Sequence, residues 1–185
     1  TQSFEAGVDL RFLKNNIGLE FTYYNNKSVD QILSPRVDNA TGGILQYVNS
    51  GNLQNKGVEL TLTASPIKRE NFKWDLALNM SHNKGRVNEL PGGLAILYVT
   101  DVQVADGKSA SFNGGDFMGI SGKKWRTNDD GKLILDWATG MPSSDGTAGY
   151  QVGNREPKLI GGLNNSFTYH NWNLSFLLDF RKGGD

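Results

Sequence analysis

The chain has 185 residues, 19 Lys+Arg against 19 Asp+Glu, and no cysteine. The charge balance gives no net field to draw it onto nucleic acid. The absence of thiols excludes a disulfide framework, a thiolate metal site and a cysteine nucleophile. No apolar run approaches the roughly 18 residues of a membrane helix, which leaves open a membrane barrel, whose signal is diluted because half of each strand faces water.

Thr1, Gln2 and Ser3 lead directly into a strand pattern with no signal peptide, and both ends read as cut from something longer. Over residues 3–13, Phe4, Ala6, Val8, Leu10 and Phe12 alternate with Ser3, Glu5, Gly7, Asp9 and Arg11. Lys14-Asn15-Asn16 predicts a tight turn, because Asn tolerates left-handed backbone at low cost. Ile17, Leu19, Phe21 and Tyr23 then share a face opposite Gly18, Glu20, Thr22 and Tyr24. Residues 25–55 hold Pro35, several glycines and no sustained period, and read as a long loop.

A third strand begins near Lys56, with Val58, Leu60, Leu62 and Ala64 opposite Gly57, Glu59, Thr61 and Thr63. Residues 66–71 predict a short polar turn. The clearest strand follows to about His82: Phe72, Trp74, Leu76, Leu78 and Met80 alternate with Lys73, Asp75, Ala77, Asn79 and Ser81. Residues 83–157 form the longest irregular stretch. A loop of that length is functional or partly structured. Its residues 94–104 are apolar enough for local strands, and Asp129-Asp130-Gly131 predicts a small hairpin turn.

Residues 158–169 predict a fifth strand, weakened at Gly161 and Gly162, where a bulge or a close backbone approach is expected. His170-Asn171 turns the chain into a sixth, with Trp172, Leu174, Phe176, Leu178 and Phe180 on one face. The hairpins therefore span about 3–24, 56–82 and 158–180, joined by long loops at 25–55 and 83–157. Short turns at one end and long loops at the other mark a membrane barrel. Phe72, Trp74, Tyr169 and Trp172 sit beside the short turns, where an interfacial aromatic belt belongs. A secreted, soluble β-sandwich that binds carbohydrate stays open as the other reading. It requires the Phe72–Met80 and Trp172–Phe180 faces to pack against each other across two sheets.

Specific residues then become recognisable. Asn55-Lys56-Gly57-Val58-Glu59-Leu60, then Phe72-Lys73-Trp74-Asp75, then Asn79-Met80-Ser81-His82-Asn83-Lys84, resemble the C-terminal half of SusC/RagA-type TonB-dependent transporters. So do Gly153-Asn154-Arg155-Glu156-Pro157-Lys158, the run from Gly161 to Tyr169, and Phe180-Arg181-Lys182-Gly183-Gly184-Asp185. The match is good over residues 51–82 and 153–185 and looser over the first hairpin.

The resemblance implies an all-β chain of antiparallel up-and-down strands. It would form about six strands of a larger transmembrane β-barrel with long extracellular loops, and would contain no plug. It also implies a Gram-negative outer membrane, energy from the TonB complex, a SusD-like surface lipoprotein as lid, and a glycan or peptide as cargo.

No catalytic arrangement and no cofactor are predicted, and the chain does not read as an enzyme. His82 and His170 fall at opposite strand ends, so a shared metal site is not expected. Asn128-Asp129-Asp130-Gly131 superficially resembles a calcium loop, but Arg126 and Trp137 would occupy its first and twelfth positions, and neither ligates calcium. Glu5, Asp9, Arg11, Glu20, Glu59, Lys73 and Asp75 read as a polar inner wall. In the longest loop Tyr98, Phe112, Phe117, Trp125, Trp137 and Tyr150 either form a small core that shapes the loop or meet cargo or lid. Trp125, Trp137 and Tyr150 are the predicted contacts.

Overall fold

Alternation with a period of two makes strands wherever one face meets an apolar medium and the other a polar one. The computed structural model describes residues 1–146 and 149–185, with backbone alone at residues 39, 50 and 100–102. Its strands are β1 (Gln2–Phe12), β2 (Ile17–Leu33), β3 (Val48–Lys68), β4 (Phe72–Glu89) and β5 (Ile96–Val104). They continue with β6 (Gly107–Phe112), β7 (Gly119–Gly122), β8 (Tyr150–Asn154), β9 (Leu159–Tyr169) and β10 (Trp172–Lys182). Two short 3₁₀ turns are the only helical segments among the described residues. The strands make a six-stranded sheet in the order β1-β2-β3-β4-β9-β10 and a four-stranded sheet in the order β5-β6-β7-β8.

The chain divides into two compact units. The first contains residues 1–28, 54–85 and 156–184; the second contains 29–53, 86–155 and 185. In the first unit the registers keep the predicted faces intact. Phe4, Val8, Leu10 and Phe12 oppose Asn25, Phe21, Leu19 and Ile17. Phe72, Trp74 and Leu78 oppose Tyr169, Phe167 and Leu163, which in turn oppose Trp172, Leu174 and Leu178. The outward side is thus an apolar wall, four or five apolar side chains tall on each strand and interrupted on β9 by Asn165 and Gly161. At 3.3 Å per residue and a tilt of about 40°, that is roughly 20–25 Å, close to the height of a lipid-facing band. The sheet ends at β1 on one side and β10 on the other, so it is an open arc of an antiparallel barrel.

The β4, β9 and β10 strands are neighbours in one sheet, and the Phe72–Met80 and Trp172–Phe180 faces lie side by side. The facing arrangement that a two-sheet sandwich requires is absent.

Several boundaries differ from the sequence pattern. The predicted loop at 25–55 narrows to residues 34–47, because β2 runs on to Leu33 and β3 starts at Val48. Likewise β4 runs on to Glu89. Their apolar residues, Val29, Ile32, Leu33, Val48, Leu53 and Val87, are scattered among polar ones without a period of two, so they carry no periodic signal, yet their backbones still pair. Asn52 helps tie them: its Nδ2 donates to Glu89 Oε2 at 2.8 Å and its Oδ1 accepts the Asp30 N–H at 3.3 Å.

At the other end β3 continues through Pro66 to Lys68, where a turn was expected. The Ser65 N–H bonds the Asn16 carbonyl at 2.8 Å, and β2 begins only at Ile17.

The β9–β10 register runs unbroken through Gly161 and Gly162, so there is no bulge there. The glycine serves a close approach instead: the Phe180 ring lies where a Gly161 side chain would be. On the opposite face Tyr24 lies over Gly57 in the same way.

The second unit has its own small core of Val87, Leu90, Ala110 and Phe112. The β5–β6 hairpin closes at Ala105-Asp106, with Ala105 at φ 52°. Phe112 packs over Gly119 of β7.

Candidate functional site

Two surfaces carry the polar and aromatic chemistry. The first is the inward face of the six-stranded sheet. Arg11 bridges Asp9 at 2.8 Å and Glu20 at 2.7 Å. Lys73 pairs with Asp75 at 2.6 Å, and Ser65 Oγ donates to the same carboxylate at 2.6 Å. Thr61 Oγ1 donates to Asn79 Oδ1 at 3.1 Å. Nearer the long-loop end, Tyr24 OH donates to Asn83 Oδ1 at 2.7 Å. Asn83 Nδ2 and the Gly85 N–H both donate to Glu156, so one carboxylate joins the end of β4 to the lead-in of β9.

Glu5, Asp9, Arg11, Glu20, Glu59, Lys73 and Asp75 all alternate onto this side, as the sequence predicts. Exposed cross-strand ion pairs stabilise by about 0–1 kcal/mol each, so this network orders a polar wall more than it holds the sheet together. A hollow of about 220 Å³ lies on this face, lined by Thr63, Ser65, Asp75, Asn164 and Ser166 among others.

The second surface is an arm of residues 124–146 in the second unit. Three short legs run back and forth, joined by isolated bridges between Trp125 and Ser144, Thr127 and Leu133, and Leu135 and Pro142. Two turns close it. At the first, Gly131 takes φ 77° while Asn128 Oδ1 accepts the Lys132 N–H at 2.8 Å. The segment that resembles a calcium loop is thus a hydrogen-bonded glycine turn. At the second, Asp136 Oδ1 accepts the N–H groups of Thr139 at 2.9 Å and Ala138 at 3.0 Å, together with the Thr139 hydroxyl. The Thr139 N–H and hydroxyl and the Ala138 N–H hold this carboxyl below its ordinary range.

That turn presents Trp137, which is 96% exposed. Trp125 is 59% exposed and Tyr150 38%. Tyr150 is anchored: its ring lies 4.9 Å from Lys124 Nζ, and its hydroxyl bonds Asp145, whose hydrogen bond and charge push the phenol upward. Of the six loop aromatics only Phe112 joins the buried core, while Tyr98 and Phe117 stay exposed with the two tryptophans. Sequence reasoning missed the Asp136 clamp. Its only signal was an Asp three residues before a Thr and four before a Gly, which is common in turns.

His82 Nδ1 meets the Lys158 carbonyl at 2.6 Å, and His170 occupies the β9–β10 turn with its ring edge-on to Tyr169. The two histidines are not brought together. No group of three metal-ligating side chains converges among the described residues.

Comparison with known proteins follows the same lines. The family described as TonB dependent receptor-like, beta-barrel matches residues 1–184. The TonB-dependent receptor P26 of Formosa agariphila is 26% identical over 206 residues, covering all of this chain and 20% of that protein. The TonB-dependent receptor SusC of Bacteroides thetaiotaomicron is 33% identical over 94 residues, half of this chain and 9% of that protein. The structure of the RagAB peptide transporter superposes with a TM-score of 0.77 at 17% identity, covering 98% of this chain and 21% of that one. The chain thus spans about a fifth of the length of the first of these relatives. An arc of antiparallel strands with an apolar outer wall and a polar inner one, matched along 184 residues, places this chain in the TonB-dependent receptor β-barrel family.

Proposed function

We propose that the protein carrying this chain imports a nutrient oligosaccharide, or a peptide, across the outer membrane of a Gram-negative bacterium at the expense of TonB-coupled energy. The observation that carries this reading is the family match over residues 1–184, on a sheet whose charged side chains alternate onto the inner face. This segment contributes barrel wall and long loops. Its inner face offers hydroxyls, amides and paired charges, which suit a polar wall along a solute path.

A surface lipoprotein lid and the TonB complex are the partners this reading requires, and neither calls for a cofactor. Trp125, Trp137 and Tyr150 are the residues we assign to contact with cargo or lid. Two points support this. Trp137 is almost wholly exposed on a turn locked by Asp136, and exposed tryptophans on ordered backbone are favoured at interfaces.

The test uses the full-length receptor in its host. Uptake that disappears when TonB is deleted, and falls about tenfold or more in Trp137→Ala with barrel levels unchanged, supports the assignment. Uptake independent of TonB sinks the import reading. Full uptake by a Trp125→Ala/Trp137→Ala/Tyr150→Ala receptor sinks the contact assignment alone.

A further inference from the structure

On the outward face of the six-stranded sheet the charges are sorted in an unusual way. Within the first unit, and on the part of β3 that β2 flanks, the outward positions of β1 run from Phe12 to Gln2, those of β2 from Ile17 to Lys27 and those of β3 from Ala64 to Gln54. Those of β4 run from Phe72 to Lys84, of β9 from Tyr169 to Leu159, and of β10 from Trp172 to Lys182. None of these positions holds an Asp or Glu. The only charged side chains among them, histidine aside, are four lysines: Lys27, Lys56, Lys84 and Lys182. All four lie at the end away from the short turns, Lys56 and Lys182 directly beyond the apolar band and Lys27 and Lys84 one polar position further, after Asn25 and His82. All are exposed, and none belongs to an ion pair among the described residues. At the short-turn end four of the six corresponding outward positions are aromatic, Phe12, Phe72, Tyr169 and Trp172, and the other two are Ile17 and Ala64.

The lysines are also level with one another. Lys182 opposes Leu159, and the β4–β9 register places His82 beside it. Lys84 lies one outward position further on, as does Lys56. The contacts of Thr61 with Asn79 and of Ser65 with Asn16 carry the register across β3 to β2, where Lys27 is one position further again. From β10 to β2 the row climbs about 13 Å over about 19 Å of sheet, at 3.3 Å per residue and 4.8 Å per strand. That slope of roughly 35° equals the tilt of strands in a membrane barrel, so a row climbing this way lies in the plane of the bilayer. Beneath it Phe21, Val58, Leu60, Met80, His82 and Leu159 line an outward apolar hollow of about 180 Å³.

We infer that this row is a docking belt for the phosphate groups of lipids in the leaflet on the long-loop side, with an acyl chain seated in the hollow below. Charge complementarity selects the occupant. Four unpaired ammonium groups without a neighbouring carboxylate, set at headgroup height, attract phosphate and discriminate against neutral lipids. The inference rests on the outward face being the lipid face and is independent of what the receptor imports.

The test takes the purified full-length receptor in neutral detergent micelles. It is titrated with a phosphorylated outer-leaflet glycolipid and with the same lipid after phosphatase treatment. Preference for the phosphorylated form by at least roughly tenfold is expected, since each lysine at a charged surface contributes about a fivefold factor. Molar salt should shrink that preference, and K27Q/K56Q/K84Q/K182Q should abolish it, with the boiled and unboiled gel mobilities unchanged. Should the quadruple variant fail to fold, K56Q/K84Q must still lower the preference, and the inward-facing K73Q must not. Equal binding of the two lipids by the wild-type receptor overturns the inference. So does full displacement by excess inorganic phosphate, which would make the site one for a free anion.

Discussion

Trp74 donates its indole N–H to Asn165 Oδ1 at 3.3 Å, within the outward apolar wall. Asn165 is 6% exposed and stands opposite Leu76 on one side and Phe176 on the other. A polar side chain among lipid-facing positions is tolerated because the indole satisfies its oxygen and the Trp74, Phe167 and Phe176 rings stack around it. Asn165→Leu should therefore cost about 1–3 kcal/mol by leaving the indole N–H without a partner, and Trp74→Phe should recover part of that loss. A double-mutant cycle on urea unfolding of the full-length receptor in lipid measures the coupling, and strictly additive effects would refute it.

Leu76 and Asn79 lie three residues apart on β4 and face opposite ways. Leu76→Arg places a charge near mid-height of the apolar band and should cost about 2–4 kcal/mol. Asn79→Arg loses the Thr61 hydrogen bond but keeps its head in water, and should cost under about 1 kcal/mol. The temperature at which the folded gel band gives way to the unfolded one ranks the two. Equal tolerance would mean that the outward face does not meet lipid.

The two covered glycines should respond differently to a methyl group. At Gly57 a Cβ would meet the His82 backbone carbonyl as well as the Tyr24 ring, and backbone cannot swing aside. At Gly161 the three nearest atoms it would meet all belong to the Phe180 ring. Gly57→Ala should cost about 1–3 kcal/mol. Gly161→Ala should cost less, and Phe180→Leu in the Gly161→Ala background should restore stability. If Phe180→Leu makes no difference, the ring is not what fills that space.

Asp136 supplies a pH test of the arm. Its carboxyl is depressed in the folded state by the Thr139 and Ala138 groups it accepts from. The stability it lends is therefore fully present above the ordinary Asp value of about 3.9 and disappears as pH falls through the lower folded value. Exchange protection of the Ala138 and Thr139 amides should hold from neutral pH down to about 4 and collapse only below it. Asp136→Ala should lack that protection at every pH. An unprotected wild-type turn at neutral pH would contradict the clamp.

The wall was legible in the sequence because a lipid-facing strand must alternate, so Phe72 to Met80 and Trp172 to Phe180 announce both strand and face. The same rule explains what stayed hidden. Asn25 to Leu33 and Asn83 to Glu89 carry few apolar residues and these do not alternate, even though Val87 is buried, so their pairing leaves no periodic trace. Strands β6 to β8 are short and glycine-rich, and Gly119 is there to make room for Phe112, a relationship between residues that no local pattern encodes. Trp125, Trp137 and Tyr150 could be named as exposed-loop candidates from residue type. The hydrogen bonds through which Asp136 shapes the Trp137 turn and Asp145 holds the Tyr150 hydroxyl were beyond the sequence reading.

The β4–β9 seam carries a consequence for how this scaffold varies. The two strands pair in unbroken register, yet some 70 residues intervene between Glu89 and Leu159. Closing such a span costs about 3 kcal/mol more than closing a two-residue hairpin, and doubling it again would add only about 0.6. The seam is thus nearly indifferent to the length of what it interrupts. A lineage can lengthen, shorten or rebuild the inserted sheet and its tryptophan arm while β4 and β9 keep the same pairing, which lets the insertion diversify at little cost to folding.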